Sequence, residues 1–125
     1  MVNVLLVGAG GFLGAIARYL LSGFVQQRAA GLFPWGTLVV NVTGCFLMGV
    51  LAELAESRGY LSAEQRAFMV VGVLGGFTTF SAFSLDSALL IERGEWFSAG
   101  SYMAGSVILS VGALFAALWL VRSFA

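Results

Sequence analysis

The chain has 125 residues, 60% of them hydrophobic and only 10% charged, with six Arg balanced by six acidic residues and no Lys or His. A soluble domain carries roughly 25% charged residues, so this chain lacks the polar groups to cover a water-facing surface and reads as an all-α membrane protein. Its one cysteine, Cys45, excludes an internal disulfide, and without His a catalytic zinc site lacks a ligand set; no enzyme activity and no nucleic-acid partner is expected.

A helix crossing the hydrocarbon of a bilayer needs ~20 mainly apolar residues. Four stretches qualify, at about residues 2–25, 35–55, 64–90 and 96–122, so residues 1–125 form a single four-helix membrane unit with short links. The first stretch lacks the basic start of a cleaved signal peptide and is too long and glycine-rich for one.

The first span opens on Val7-Gly8-Ala9-Gly10-Gly11-Phe12-Leu13-Gly14, a look-alike of a dinucleotide-binding turn. The context fails, because no acidic residue occurs before Glu53 and no strand–helix alternation follows. Gly10 and Gly14 instead make a small-xxx-small face that lets another helix approach closely. Arg18 lies about two-thirds along this span. A charge at that depth snorkels, pairs, or faces water; it is read as an interfacial anchor or as a vestibule charge attracting anions.

Residues 22–34 form a polar-leaning link ending in Pro34, which suits a helix start. The second span carries Thr37, Asn41, Gly44 and Met48 on one helical face. A carboxamide in the membrane is costly unless hydrogen-bonded. Asn41 brings two donors and one acceptor without net charge: it is either glue between helices or a donor for a passing anion. Beyond Glu53 and Glu56, Ser62 and Gln65 have the spacing of a capping box for the third helix.

The third span contains the stretch that organises the rest, Gly75-Gly76-Phe77-Thr78-Thr79-Phe80-Ser81-Ala82-Phe83, in the middle of a charge-free run over residues 67–85. Gly costs ~1 kcal/mol relative to Ala inside a helix, so the span is expected to break near its centre, at Gly75-Gly76. In a membrane such a break survives only where it is buried in protein or lines a wet path, and carbonyls at such an end can coordinate a cation. Phe80 and Phe83 share a side of the following helical piece. Aromatic edges are positive, so they can line an anion path without trapping the ion. Residues 86–95 are expected to form the third link. In the last span Tyr102, Ser106 and Ser110 recur every four residues, a hydroxyl track or a packing face.

The positive-inside rule finds little to work on. Arg28 and Arg93 fall on one side, Arg58, Arg66 and Arg122 on the other, and counting Arg18 on its nearer side gives three against three. Insertion in both orientations, with two copies meeting antiparallel, accounts for that balance.

Taken together, Gly10-Gly11…Gly14-Ala15…Arg18-Tyr19, Gly36-Thr37…Asn41…Gly44 and Gly75-Gly76-Phe77-Thr78-Thr79-Phe80-Ser81…Phe83 resemble the Fluc/CrcB fluoride channels over the whole chain. The resemblance implies a passive, selective fluoride channel that relieves fluoride toxicity, multi-pass in the bacterial cytoplasmic (inner) membrane. It implies an antiparallel dual-topology homodimer. A structural sodium ion at the dimer centre would be held by main-chain carbonyls that here belong to Gly75 and Thr78 of each subunit. By motif position it implies a pathway of Asn41, Phe80 and Phe83, with Ser81 and Thr37 as polar neighbours, Tyr102, Ser106 and Ser110 as the hydroxyl track, and Arg18 as the arginine of the first helix. Ala82 stands where many members have Thr, so one hydroxyl is missing. The competing readings are a small multidrug-type exporter, which needs an acid inside the membrane, and a non-transporting scaffold.

Overall fold

A computed structural model describes residues 1–124. Four helical spans cover them. α1 (Val2–Arg28) has 27 residues, about 40 Å at 1.5 Å per residue, longer than a ~30 Å hydrocarbon core. It gives way to an extended Ala29. Gln26 then ties the link together: its Nε2 donates to the Phe33 carbonyl (3.0 Å) and its Oε1 accepts from the Gly36 N–H (3.0 Å). The second bond satisfies one of the donors left orphaned at the start of α2 (Trp35–Glu56).

The third span, Ala63–Glu92, starts on the expected capping box. The Gln65 N–H donates to the Ser62 hydroxyl (3.1 Å) and the Ser62 N–H to the Gln65 side chain (3.0 Å). One turn of α3 (Ala63–Arg66) runs into a π-helical stretch, Ala67–Leu74, and then α4 (Gly75–Phe77). Nothing in the residue pattern foretells the wider π turns. The break follows, and α5 (Phe80–Glu92) completes the span. α5 ends in a Schellman motif: the Gly94 N–H reaches the Ile91 carbonyl (3.0 Å) and the Glu95 N–H the Leu90 carbonyl (2.9 Å). Gly94 sits at φ +77°, a conformation glycine adopts without strain. α6 (Trp96–Ser123) is the last span.

Two corrections to the sequence reading concern this span. The break is not at Gly75-Gly76. Gly75 is helical (φ −62°, ψ −38°), and the extended residues are Thr78 (φ −85°, ψ 156°) and Thr79 (φ −150°, ψ 125°). The third link is also shorter than 86–95, because α5 continues through Asp86 to Glu92. Asp86 is kept inside the helix by a hydrogen bond from the Tyr102 hydroxyl to its Oδ2 (3.2 Å).

Small residues set the packing. α1 lies against the third span through two facing glycine pairs, Gly10 with Gly72 and Gly11 with Gly76, and through Gly14, which packs on the backbone of Val73 and Phe77. A Cβ on Gly10 would stand 2.8 Å from the Val73 nitrogen, and one on Gly76 would stand 2.6 Å from the Gly11 carbonyl oxygen. On the other side α2 meets α6 at Gly49, where a Cβ would lie 2.6 Å from the Leu114 carbonyl oxygen. Leu38, Leu90, Ala99 and Tyr102 form the buried cluster between α2, α5 and α6. Large apolar side chains such as Phe12, Phe97, Phe115 and Trp119 point outward. With charged residues confined mainly to the helix ends, this is an exterior suited to lipid and not to water.

Candidate ion pathway at the helix break

A break inside a span frees backbone groups that must find partners. Here neighbouring helices supply them. From α2, the Asn41 side chain pairs with Thr79 at two points: Nδ2 donates to the Thr79 carbonyl (3.0 Å) and Oδ1 accepts from the Thr79 N–H (2.9 Å). From α1, Arg18 Nε donates to the Gly76 carbonyl (3.1 Å). Thr78 closes α4 by donating both its N–H and its hydroxyl to the Leu74 carbonyl, each at 3.0 Å. Thr79 is the N-cap of α5, its Oγ1 accepting from the Ala82 N–H (3.1 Å). The same hydroxyl shares a hydrogen with that of Ser81 (3.2 Å).

The Gly75 carbonyl loses its helical donor. In an uninterrupted helix Gly75 would accept from the Thr79 N–H, four residues on. Asn41 has taken that donor, and Gly75 is exposed on the outside of the subunit.

Beside the break lies a groove of about 280 Å³, lined by Asn41, Cys45, Thr78, Thr79, Phe80, Phe83, Ser106, Val107, Ser110 and Val111. No charged side chain lines it. Polar atoms enter from α2 and α6, and aromatic rings from α5. Phe80 and Phe83 have centroids 5.4 Å apart at a 45° tilt, and Phe83 continues to Tyr102 at 5.2 Å. Ser106 is buried, and its hydroxyl has no hydrogen-bond partner among the described residues. A buried hydroxyl without a partner costs about 1–3 kcal/mol.

The structure therefore brings together Asn41, Phe80, Phe83, Ser106 and Ser110. It separates others. Tyr102 is fully buried behind Phe83 and turns its hydroxyl to Asp86, away from the two serines. Ser81 is exposed at the mouth of the break. Thr37 and Arg18 line a second cavity of about 200 Å³, together with Tyr19, Ser22 and Ala82, and Thr79 is the wall the two cavities share. Arg18 lies outside the groove, and its Nε reaches the Gly76 carbonyl at the end of α4. Asn41 binds the break to α2 through Thr79, and one of its two N–H groups remains beyond the bond to Thr79.

Three roles escaped the sequence reading: Thr79 as the cap of α5, Cys45 as a wall of the groove, and Asp86 as a helical residue outside it. Thr79 carries an N-cap signature, a Thr immediately before a helical apolar pattern. Cys45 follows Asn41 by four residues and so shares its face. Asp86 precedes the apolar run Ala88-Leu89-Leu90-Ile91, whose helical continuation was the available signal.

The match that decides the family runs over residues 5–118, to the family described as CrcB-like protein, Camphor Resistance (CrcB). The chain belongs to the CrcB family. Relatives agree along its full length. It is 54% identical over 123 residues to the fluoride-specific ion channel FluC of Rhizobium meliloti, covering 98% of each chain. The FluC of Rhodospirillum centenum is likewise 54% identical over 123 residues and 98% of each chain. That of Rhizobium johnstonii is 47% identical over 125 residues and all of both chains. This CrcB-family chain, with four helices long and apolar enough to cross a membrane, is a multi-pass membrane protein.

Proposed function

We propose that the chain is one subunit of a passive, fluoride-selective channel of the bacterial cytoplasmic membrane, relieving fluoride toxicity by letting the anion leave down its gradient. The observation that carries this reading is the groove beside the break: uncharged, lined by aromatic rings, and holding an unpartnered buried hydroxyl at Ser106. The names of the relatives supply fluoride as the ion. Fluoride holds its water strongly. A pore has to replace that water with donors and still release the ion. The remaining Asn41 N–H and the hydroxyls of Ser106 and Ser110 serve as donors, and the positive edges of Phe80 and Phe83 give weak, non-trapping contacts.

The working unit is an antiparallel homodimer. Phe80 is 77% exposed in the single subunit although it belongs to the groove, and the polar break opens on the same outer surface; a second copy across it removes both from lipid. The near-equal division of Arg between the two sides favours dual insertion. A sodium ion at the two-fold axis fits the donor set. The Gly75 carbonyl and the Thr78 carbonyl, one pair from each copy, are neutral oxygen ligands of the kind a hard cation takes. Bound there, the ion would offset the partial negative charge of these carbonyl oxygens. Asn41 has the preparatory role, because diverting the Thr79 N–H is what leaves Gly75 available.

The exporter reading needs an embedded acid open to a transport path. Asp86 lies within the span, but its carboxylate is engaged by Tyr102 and lines neither cavity.

Efflux from liposomes at a valinomycin-set potential tests the proposal. Fast fluoride release with little chloride release is expected, and equal release of both ions, or of neither, would remove it. Within that assay two variants are informative. Ser106→Ala deletes the unpartnered hydroxyl at little structural cost and is expected to slow fluoride efflux about tenfold, the equivalent of one hydrogen bond of ~1.4 kcal/mol. Phe80→Ile and Phe83→Ile keep the groove apolar but remove the ring edges; each is expected to cut flux while gel filtration still shows an assembled protein. Normal flux in both would leave the rings as packing alone.

A further inference from the structure

We propose that the corner formed by the ends of α2 and α6 is a binding site for an anionic phospholipid, with its phosphate on Arg58. The site does not depend on which ion the channel passes. A cavity of about 280 Å³ opens there, lined by Leu54, Arg58, Tyr60, Leu120, Val121 and Phe124. Its composition is divided in the way a lipid is divided: one guanidinium and one phenol beside four apolar side chains. It also stands at the right depth. Leu54 belongs to the last turn of α2, Leu120 and Val121 to the end of α6, and ion pairs gather around it as they do at a hydrocarbon boundary.

Those ion pairs decide the charge. Glu53 is buried and accepts from Arg122 Nε at 3.0 Å, and Glu56 pairs with Arg66. Among the described residues these two pairs engage Glu53 and Glu56, and Arg58 takes part in neither. Its Nη2 donates instead to the Val121 carbonyl (3.2 Å), one of the unsatisfied carbonyls at the end of α6. That bond fixes the guanidinium at the cavity wall and leaves four of its five N–H donors for another acceptor. A planar cation held beside an apolar slot recognises phosphate, and basic pockets between membrane helices take lipid headgroups. The slot is too small for a helix of a second subunit and large enough for a headgroup and the first methylenes of an acyl chain.

The test is lipid retention by the purified full-length protein, read by native mass spectrometry after exchange into detergent containing phosphatidylglycerol or phosphatidylcholine. The wild type is expected to hold phosphatidylglycerol at least about tenfold in preference. Arg58→Gln should reduce that preference below about twofold, whereas Arg28→Gln, at the opposite end of the bundle, should keep it. Leu120→Trp fills the apolar slot without touching the charge and should also lose the lipid, which keeps the test decisive if Arg58→Gln proves unstable. Retention unchanged in both Arg58→Gln and Leu120→Trp overturns the site. So does a wild type with no preference for phosphatidylglycerol, or one whose lipid is displaced by millimolar inorganic phosphate, since a free anion site has no use for the slot.

Discussion

Asn41→Asp is expected to reduce fluoride efflux about a hundredfold or more at neutral pH. The substitution is nearly isosteric and keeps the acceptor for the Thr79 N–H. It removes the Nδ2 donor that reaches the Thr79 carbonyl at 3.0 Å, and so brings a carboxylate oxygen against a carbonyl oxygen. Leaving such a buried acceptor unpaired costs ~1–3 kcal/mol, and the new negative charge stands in the wall of the proposed anion path. Together these correspond to about two decades of rate. Efflux measured at neutral pH, with gel filtration of the variant beside the wild type, checks this. Unchanged flux would mean that Asn41 serves the break alone and stands outside the ion path.

Asn41 also shows what the sequence can and cannot convey. Its residue type, its place in an apolar span and its spacing to Cys45 and Thr37 are all local facts, and they place the three on one face of α2. The partner, Thr79, lies 38 positions away. No spacing rule connects the two, so the bond that makes Asn41 glue for the break had to wait for the third dimension. The break illustrates the same limit at shorter range. Gly75-Gly76 was the obvious weak point by helix propensity, yet both glycines stay helical, and Gly76 is used for close approach to α1; the chain opens at Thr78, where Thr79 can cap α5 with its own hydroxyl. Propensity located the interruption to within a turn, and tertiary hydrogen bonding chose the residue. Asp86 was misplaced for a related reason. A carboxylate is a sound end-of-span marker unless a donor such as Tyr102 meets it, and that donor comes from another helix. The four spans and the capping box at Ser62 were legible because hydropathy and capping are nearest-neighbour properties. The π turns of residues 67–74 were not, since no local pattern in those residues marks them.

The close packing of α1 on the third span leads to the second large effect. Gly14→Ala is expected to prevent the native packing of α1, with loss of most folded protein and of efflux from what remains. The added methyl group would overlap the Val73 carbonyl oxygen and stand 2.9 Å from the Phe77 nitrogen, both of them backbone atoms that cannot rotate away. Relief therefore needs a rigid-body retreat of α1, which overpacking estimates put at ~1–3 kcal/mol when flexible side chains share the strain and which is at the upper end here. The retreat also reaches the break. Arg18 lies one turn beyond Gly14 on the same face, and its 3.1 Å bond to the Gly76 carbonyl has no slack for a helix that has moved outward. Gly8→Ala is the matched control: nothing lies within 4 Å of its would-be Cβ, and Ala favours a helix over Gly by ~1 kcal/mol, so that variant should melt at or above the wild-type temperature and conduct normally. Thermal unfolding in detergent and liposome efflux on the two variants together isolate contact from propensity. If Gly14→Ala melted and conducted like Gly8→Ala, α1 and the third span could not be as close as their facing glycines place them, and Arg18 would lose its claim to hold the end of α4.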